Sequence, residues 1–157
     1  MLAFVVGWLT LVPSLLVSPA SVEPSSTSPA SDVATLSGKV VELAEALKSL
    51  GLSADAETVA HQVVVLASDG TITPLLCDDA SRALFKDERL RHRSAELMVK
   101  RRAGLPYVQV LTFQVEDHGK LRTPEYFCEI CSISVRSPQV CICCQGPMEL
   151  RFKTETP

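Results

Sequence analysis

Tyr126-Phe127-Cys128-Glu129-Ile130-Cys131-Ser132-Ile133-Ser134-Val135-Arg136-Ser137-Pro138-Gln139-Val140-Cys141-Ile142-Cys143-Cys144 is the stretch on which the reading of this chain turns. Two cysteines three positions apart in a tight turn can aim both sulfurs at one ion. Two such pairs, Cys128/Cys131 and Cys141/Cys144, supply the four thiolates of a tetrahedral Zn²⁺ site. The nine residues between the pairs suffice for one short strand, Ser132 to Arg136, and a turn at Ser137-Pro138-Gln139. The second pair therefore returns beside the first.

Outward from the cysteines, both flanks read as β-structure. Before them, Tyr107 to Val115 is rich in β-formers, and Tyr107, Leu111, Phe113 and Val115 would share one face. Asp117-His118-Gly119 is a hairpin connection, and Leu121 to Phe127 returns as the next strand. After them, Met148, Leu150 and Phe152 alternate with Glu149, Arg151 and Lys153. The spacing predicts an antiparallel ribbon over residues 105–157 carrying a four-cysteine module.

The segment from about 126 to 153 resembles the zinc-ribbon superfamily. Cys128, Cys131, Cys141 and Cys144 match its four ligand positions. The resemblance implies structural zinc; iron in a rubredoxin-like site uses the same ligands. The sequence departs from the pattern in two places. Ser132 and Gln145 follow the second cysteine of each knuckle, where many ribbons have glycine, and Cys143 is an extra thiol that could replace Cys144. The competing reading of the six cysteines is a set of disulfides, for which 15 pairings exist. Cys77 stands apart and reads as a buried small hydrophobe.

Residues 36–104 read as helical. Leu36, Val40, Leu43, Leu47 and Leu50 are spaced four, three, four, three, with Gly51 as a stop. Ser53 is a candidate N-cap for a second helix burying Ala56, Val59, Ala60, Val63 and Val64, which completes an αα-hairpin. Ser68-Asp69-Gly70 is a turn and Thr71 to Cys77 a short extended piece. Asp78-Asp79 starts a third helix running to about Arg102. Between Lys86 and Arg102 lie seven basic and three acidic residues, so a nearly neutral chain, net −3, holds one basic element. Arg89, Arg91, Arg93, Lys100, Arg101 and Arg102 are the candidate phosphate contacts. The expected fold class is therefore α+β, an αα-hairpin plus a basic helix followed by the β-ribbon. With 46% apolar residues but only 5% aromatic, its core must be aliphatic.

At the N-terminus, Leu2 to Val17 is almost entirely apolar and Ser18-Pro19-Ala20 offers a cleavage site. Residues 1–20 read as a signal peptide or membrane anchor. Residues 21–35, rich in serine and proline, read as a disordered linker. This points to a membrane or the secretory pathway. Lys100-Arg101-Arg102, a nuclear-signal type of cluster, points instead to cytoplasm or nucleus.

The chain contains no phosphate loop, no dinucleotide fingerprint, no G-x-S-x-G elbow and no H-E-x-x-H. A zinc whose four positions are all cysteine has none open for water. The expectation is a non-enzymatic, zinc-binding regulatory or adaptor protein without a small-molecule substrate. Its partner is a protein, or nucleic acid bound through the basic helix, and residues 1–20 would provide membrane association. The alternative is a secreted or membrane-tethered interaction protein held together by disulfides.

Overall fold

A computed structural model describes residues 33–153, apart from Ala56. The leader, and all but the last three residues of the linker, lie outside the described residues. Val33 to Thr35 are already part of the first strand.

The described chain is mostly β, with two α-helices, and the expectation of a helical N-terminal half is overturned. Two strands occupy the region read as an αα-hairpin, β1 (Val33–Glu42) and β2 (Val63–Leu66), while β3 (Ile72–Pro74) falls in the stretch from Thr71 to Cys77 expected to be extended. Of the first expected helix only α1 (Leu43–Ser49) exists; Gly51 follows it in the left-handed region, φ +73°. Leu36 and Val40 are a helical repeat apart, but they are also an even number of residues apart. With Ala34 they turn one face of β1 to the core, while Thr35, Ser37 and Lys39 face out. Val63-Val64-Val65 is a strand covered on both sides, and three successive β-branched side chains suit it better than a helix.

The third expected helix is also corrected. It resolves into α2 (Arg82–Lys86), a 3-10 turn at Glu88–Leu90, and strand β4 (Ser94–Arg101). Asp78 does open the helical segment: its Oδ1 accepts from the N–H groups of Ala80 and Ser81, both at 3.1 Å. In β4, Ala95, Leu97 and Val99 are buried and Ser94, Glu96 and Met98 are exposed, a period of two.

The expected β-half stands. β5 (Val108–Asp117) and β6 (Lys120–Arg122) form a hairpin, followed by β7 (Pro124–Cys128), β8 (Ile133–Val135) and β9 (Glu149–Phe152). One detail differs. Leu111 is an extra residue in β5, where pairing with β4 slips between Met98 and Val99. The buried face of β5 is therefore Val108 and Val110 before the bulge, and Phe113 and Val115 after it. Tyr107 is exposed and Leu111 half-buried.

The strand order β3-β2-β1-β4-β5-β6 is antiparallel throughout. A parallel bridge between Leu75 and Val108, with Leu76 N–H donating to the Val108 carbonyl at 2.9 Å, brings the end of β3 to the start of β5. The first five strands thereby close in the order 1-2-3-5-4-1, the connectivity of the OB-type Greek-key barrel. Gly38 pairs with Ala95 of β4, one residue before pairing with β2 begins at Lys39. A Cβ there would stand 2.6 Å from the Leu66 carbonyl oxygen, so close approach of the two strands requires glycine.

Val40, Val63, Val65, Leu97, Val99, Val108 and Val110 fill the barrel, and Leu84 and Leu90 from the helical segment plug it. The α1 helix packs Ala46 and Leu43 on the outer face of β1–β3 against Val41, Val64, Leu66 and Ile72. The second sheet, β8-β7-β9, docks on the barrel through Tyr126, Val135, Met148, Leu150 and Phe152.

Candidate metal centre

The two C-x2-C turns have the same backbone construction. In the first, Ser132 N–H donates to the Cys128 carbonyl at 2.8 Å, and Ser132 is left-handed, φ +53°. In the second, Gln145 N–H donates to the Cys141 carbonyl at 2.9 Å, and Gln145 is left-handed, φ +59°. These are the two positions where ribbons often carry glycine; the conformation is kept here with side chains that strain it. The turns also present N–H groups to sulfur in matching fashion. The Cys128 thiol receives those of Cys131 and Ile130, and the Cys141 thiol those of Cys144 and Cys143.

β7 delivers Cys128 at its end, β8 spans the distance between the turns, and β9 leads away from the second. Tyr126 pairs with Val135 on one side and Leu150 on the other, so β7 is the central strand between the flanks of both turns. The Sγ atoms of Cys128, Cys131, Cys141 and Cys144 all lie within 4.8 Å of one another. A tetrahedron with Zn–S bonds of ~2.3 Å has sulfur–sulfur edges of about 3.8 Å. The Cys128–Cys144 separation is 3.5 Å, close to that edge and far beyond the roughly 2.05 Å of a disulfide. No two of the six cysteines stand at disulfide distance. Cys128 and Cys141 are buried, Cys131 is half-buried and Cys144 is exposed. Gly146 closes the second turn: its carbonyl accepts from Cys141 N–H at 2.9 Å, and a Cβ on it would press the Cys144 sulfur at 3.3 Å.

The electrostatics ask for a cation. Backbone N–H groups of Cys144 and Cys143 pull the Cys141 thiol down to about 7. The neighbouring Cys143 thiol, desolvation and the other thiols push Cys131 well above the ordinary thiol range. At Cys128 the Cys131 N–H draws the pKa down, but desolvation and the Cys144 and Cys141 thiols outweigh it. Four sulfurs this close cannot all ionise alone, and a bound dication reverses the balance. The cluster is thus positioned to coordinate one metal ion, of the kind a structural zinc site holds. Zinc and iron both accept this donor set.

Other expected residues fare differently. Cys77 is exposed, not buried, and outside the set of four. Cys143 is exposed beside Cys131 and outside the set of four. His118 is solvated on its hairpin, 3.9 Å from Asp117, and takes no part.

The six basic residues are not on one helix and do not share a face. Arg89 grips Asp87 with Nε at 2.9 Å and Nη2 at 2.7 Å. Arg91 is buried against Glu42 at 2.9 Å and Glu88 at 3.5 Å. Arg93 donates to the Glu116 carbonyl and lies over the Phe152 ring. Lys100 and Arg101 are successive in β4 and so lie on opposite faces, while Arg102 donates to Gln109 at 2.8 Å.

The structure adds a buried polar link that sequence reasoning missed. Tyr126, two residues before the first ligand, donates its hydroxyl to Asp87 Oδ2 at 2.7 Å. Burial pushes the Asp87 carboxyl up, but hydrogen bonds from Arg89 and Tyr126 outweigh it and hold it below its ordinary value. Burial and that carboxylate raise Tyr126 far above the usual phenol range. The link ties the metal module to the barrel across 39 residues of sequence, and no local pattern announces it. No family model, curated protein or solved structure matches the chain.

Proposed function

We propose that the chain is a non-enzymatic binding protein in which one structural zinc, held by Cys128, Cys131, Cys141 and Cys144, keeps a three-stranded sheet docked on an OB-type barrel. The observation that carries the reading is the paired construction of the two turns, with left-handed Ser132 and Gln145 and N–H groups aimed at the first sulfur of each. Four cysteine ligands leave no position for substrate or water, which supports a structural rather than catalytic ion. Zinc binding and ordering of the small sheet are one event, because Met148, Leu150 and Phe152 reach the barrel only when β9 is placed. Elemental analysis of the purified chain tests this: one zinc per chain is expected. Iron would replace zinc in the reading, and folded, reduced protein with neither metal would end it.

Of the two partner classes, a protein is favoured. Nucleic acid needs a basic stripe or a stacking platform. Here Arg91 is buried in ion pairs, Arg89 and Arg93 are each tied to an acceptor within the chain, and α1 covers the β2–β3 face that OB barrels use for oligonucleotides.

A further inference from the structure

The barrel and the metal module do not meet everywhere. Between them lies a cleft of about 260 Å³. Its walls include Leu111, Thr112 and Phe113 of β5, facing Ser134, Val135 and Arg136 at the end of β8. The wall follows three successive residues of β5 at and just after the bulge, so it runs along that strand. The β5 edge is free there. Its carbonyl at Val108 is taken by Leu76, and β6 pairs with it only from Val115 onward. Between those points no strand among the described residues pairs with that side of β5. β8 is likewise an edge strand, bonded only to β7.

Charge indicates what fits. Arg136, Arg151 and Lys153 stand around the cleft and its extension along β9. The one carboxylate among them, Glu125, is already held by Arg151 at 2.7 Å and Lys153 at 3.5 Å. Arg136 has no ion-pair partner among the described residues. The cleft therefore carries surplus positive charge beside unpaired backbone donors and acceptors.

We propose that this cleft is a peptide-docking site, where an extended, acidic segment of a partner protein adds a strand to the free edge of β5 while its carboxylates meet Arg136 and Lys153. Strand addition supplies affinity through main-chain hydrogen bonds, and side chains of alternate residues supply selectivity. The bulge at Leu111 confines good pairing to a short register, so the segment is short. The proposal names the partner class of the binding protein described above. It rests on that reading for one wall, since β8 is held between the two cysteine turns.

The test uses the full metal-loaded chain and an immobilised array of random hexapeptides, with metal content measured on the same sample. Retained peptides are expected to be rich in Asp, Glu and β-branched residues and poor in proline. In a retained peptide, methylating single backbone nitrogens should weaken binding about tenfold at alternate positions and little at those between. Arg136→Glu should weaken binding by a similar factor while zinc content and melting temperature stay unchanged. A zinc-loaded chain that retains no peptide, retains basic ones, or is indifferent to N-methylation overturns the proposal and leaves the metal reading intact. A folded chain without metal ends the metal reading, and the array result on the β5 edge is then read by the same criteria.

Discussion

Ser132 and Gln145 hold left-handed backbone conformations that cost a non-glycine residue on the order of 1 kcal/mol each. Replacing either with glycine should stabilise the metal-loaded protein by about 0.5–1 kcal/mol, offset in part by the greater freedom of glycine in the unfolded chain. Thermal melts of the two single variants and the double variant check this; a drop in melting temperature would show that the side chains hold the turns. Gly38 is the opposite case. Gly38→Ala places a methyl against the Leu66 carbonyl and the Val65 side chain, neither free to move. A loss of about 1–3 kcal/mol is expected, and denaturant titration measures it. Asp87 offers a test by pH. Its folded pKa lies below the ordinary value of 3.8, so its stabilising contribution is present above that value and is lost as pH falls through the folded pKa. Asp87→Asn should destabilise the protein at neutral pH by about 1–3 kcal/mol. The gap between variant and parent should close below roughly pH 4. A gap independent of pH would mean the carboxylate charge is not what matters.

For the small sheet as an element, a metal bound by the four cysteines would outweigh every other term. Apparent binding energies of about 10–16 kcal/mol are typical of four-ligand zinc peptides, as large as the whole stability of an ordinary domain. Three short strands, the longest Pro124–Cys128, have little pairing of their own, so the metal is expected to decide whether they stay ordered. Cys131→Ser, or a strong chelator, should release the ion and expose Met148, Leu150 and Phe152 to a hydrophobic dye. Unchanged dye binding after metal loss would show that the sheet is held by packing alone. The outer face adds one local clamp. The Arg151 guanidinium lies 3.3 Å above the Phe127 ring centre while bonding Glu125 on the neighbouring strand.

At the scale of the molecule, the two sheets share one core. Tyr126, Leu150 and Phe152 touch the apolar group that also contains Val40, Leu97 and Val110. Metal removal should therefore lower the melting temperature of a single transition rather than create a separate early one. Calorimetry with and without chelator decides, and two resolved transitions would mean that the barrel and the metal module unfold independently. No helix among the described residues is long and apolar enough to cross a membrane, and the apolar leader expected at residues 1–20 lies outside them.

What the sequence determined by itself was the local chemistry. Two cysteines three apart dictate a turn with converging sulfurs, and Met148, Leu150 and Phe152 dictate a strand with one apolar face, because both depend on neighbours a few residues away. The positions of Gly51, Gly70 and Asp78 were legible for the same reason. Everything that depended on pairing was decided by tertiary structure. Leu36 and Val40 suit helix and strand alike, and only β2 and β4 on either side of β1 select the strand. Val63, Val64 and Val65 became a strand covered on both faces because α1 lies on one side and the barrel interior on the other. The basic run lost its helix because Ala95, Leu97 and Val99 were needed in the barrel wall, and Arg91 and Arg93 found Glu42 and Glu116 at distances in sequence that no periodicity encodes. Turn chemistry is local and survives any fold; strand pairing is a contest among distant segments, and the chain settles it only by closing the barrel.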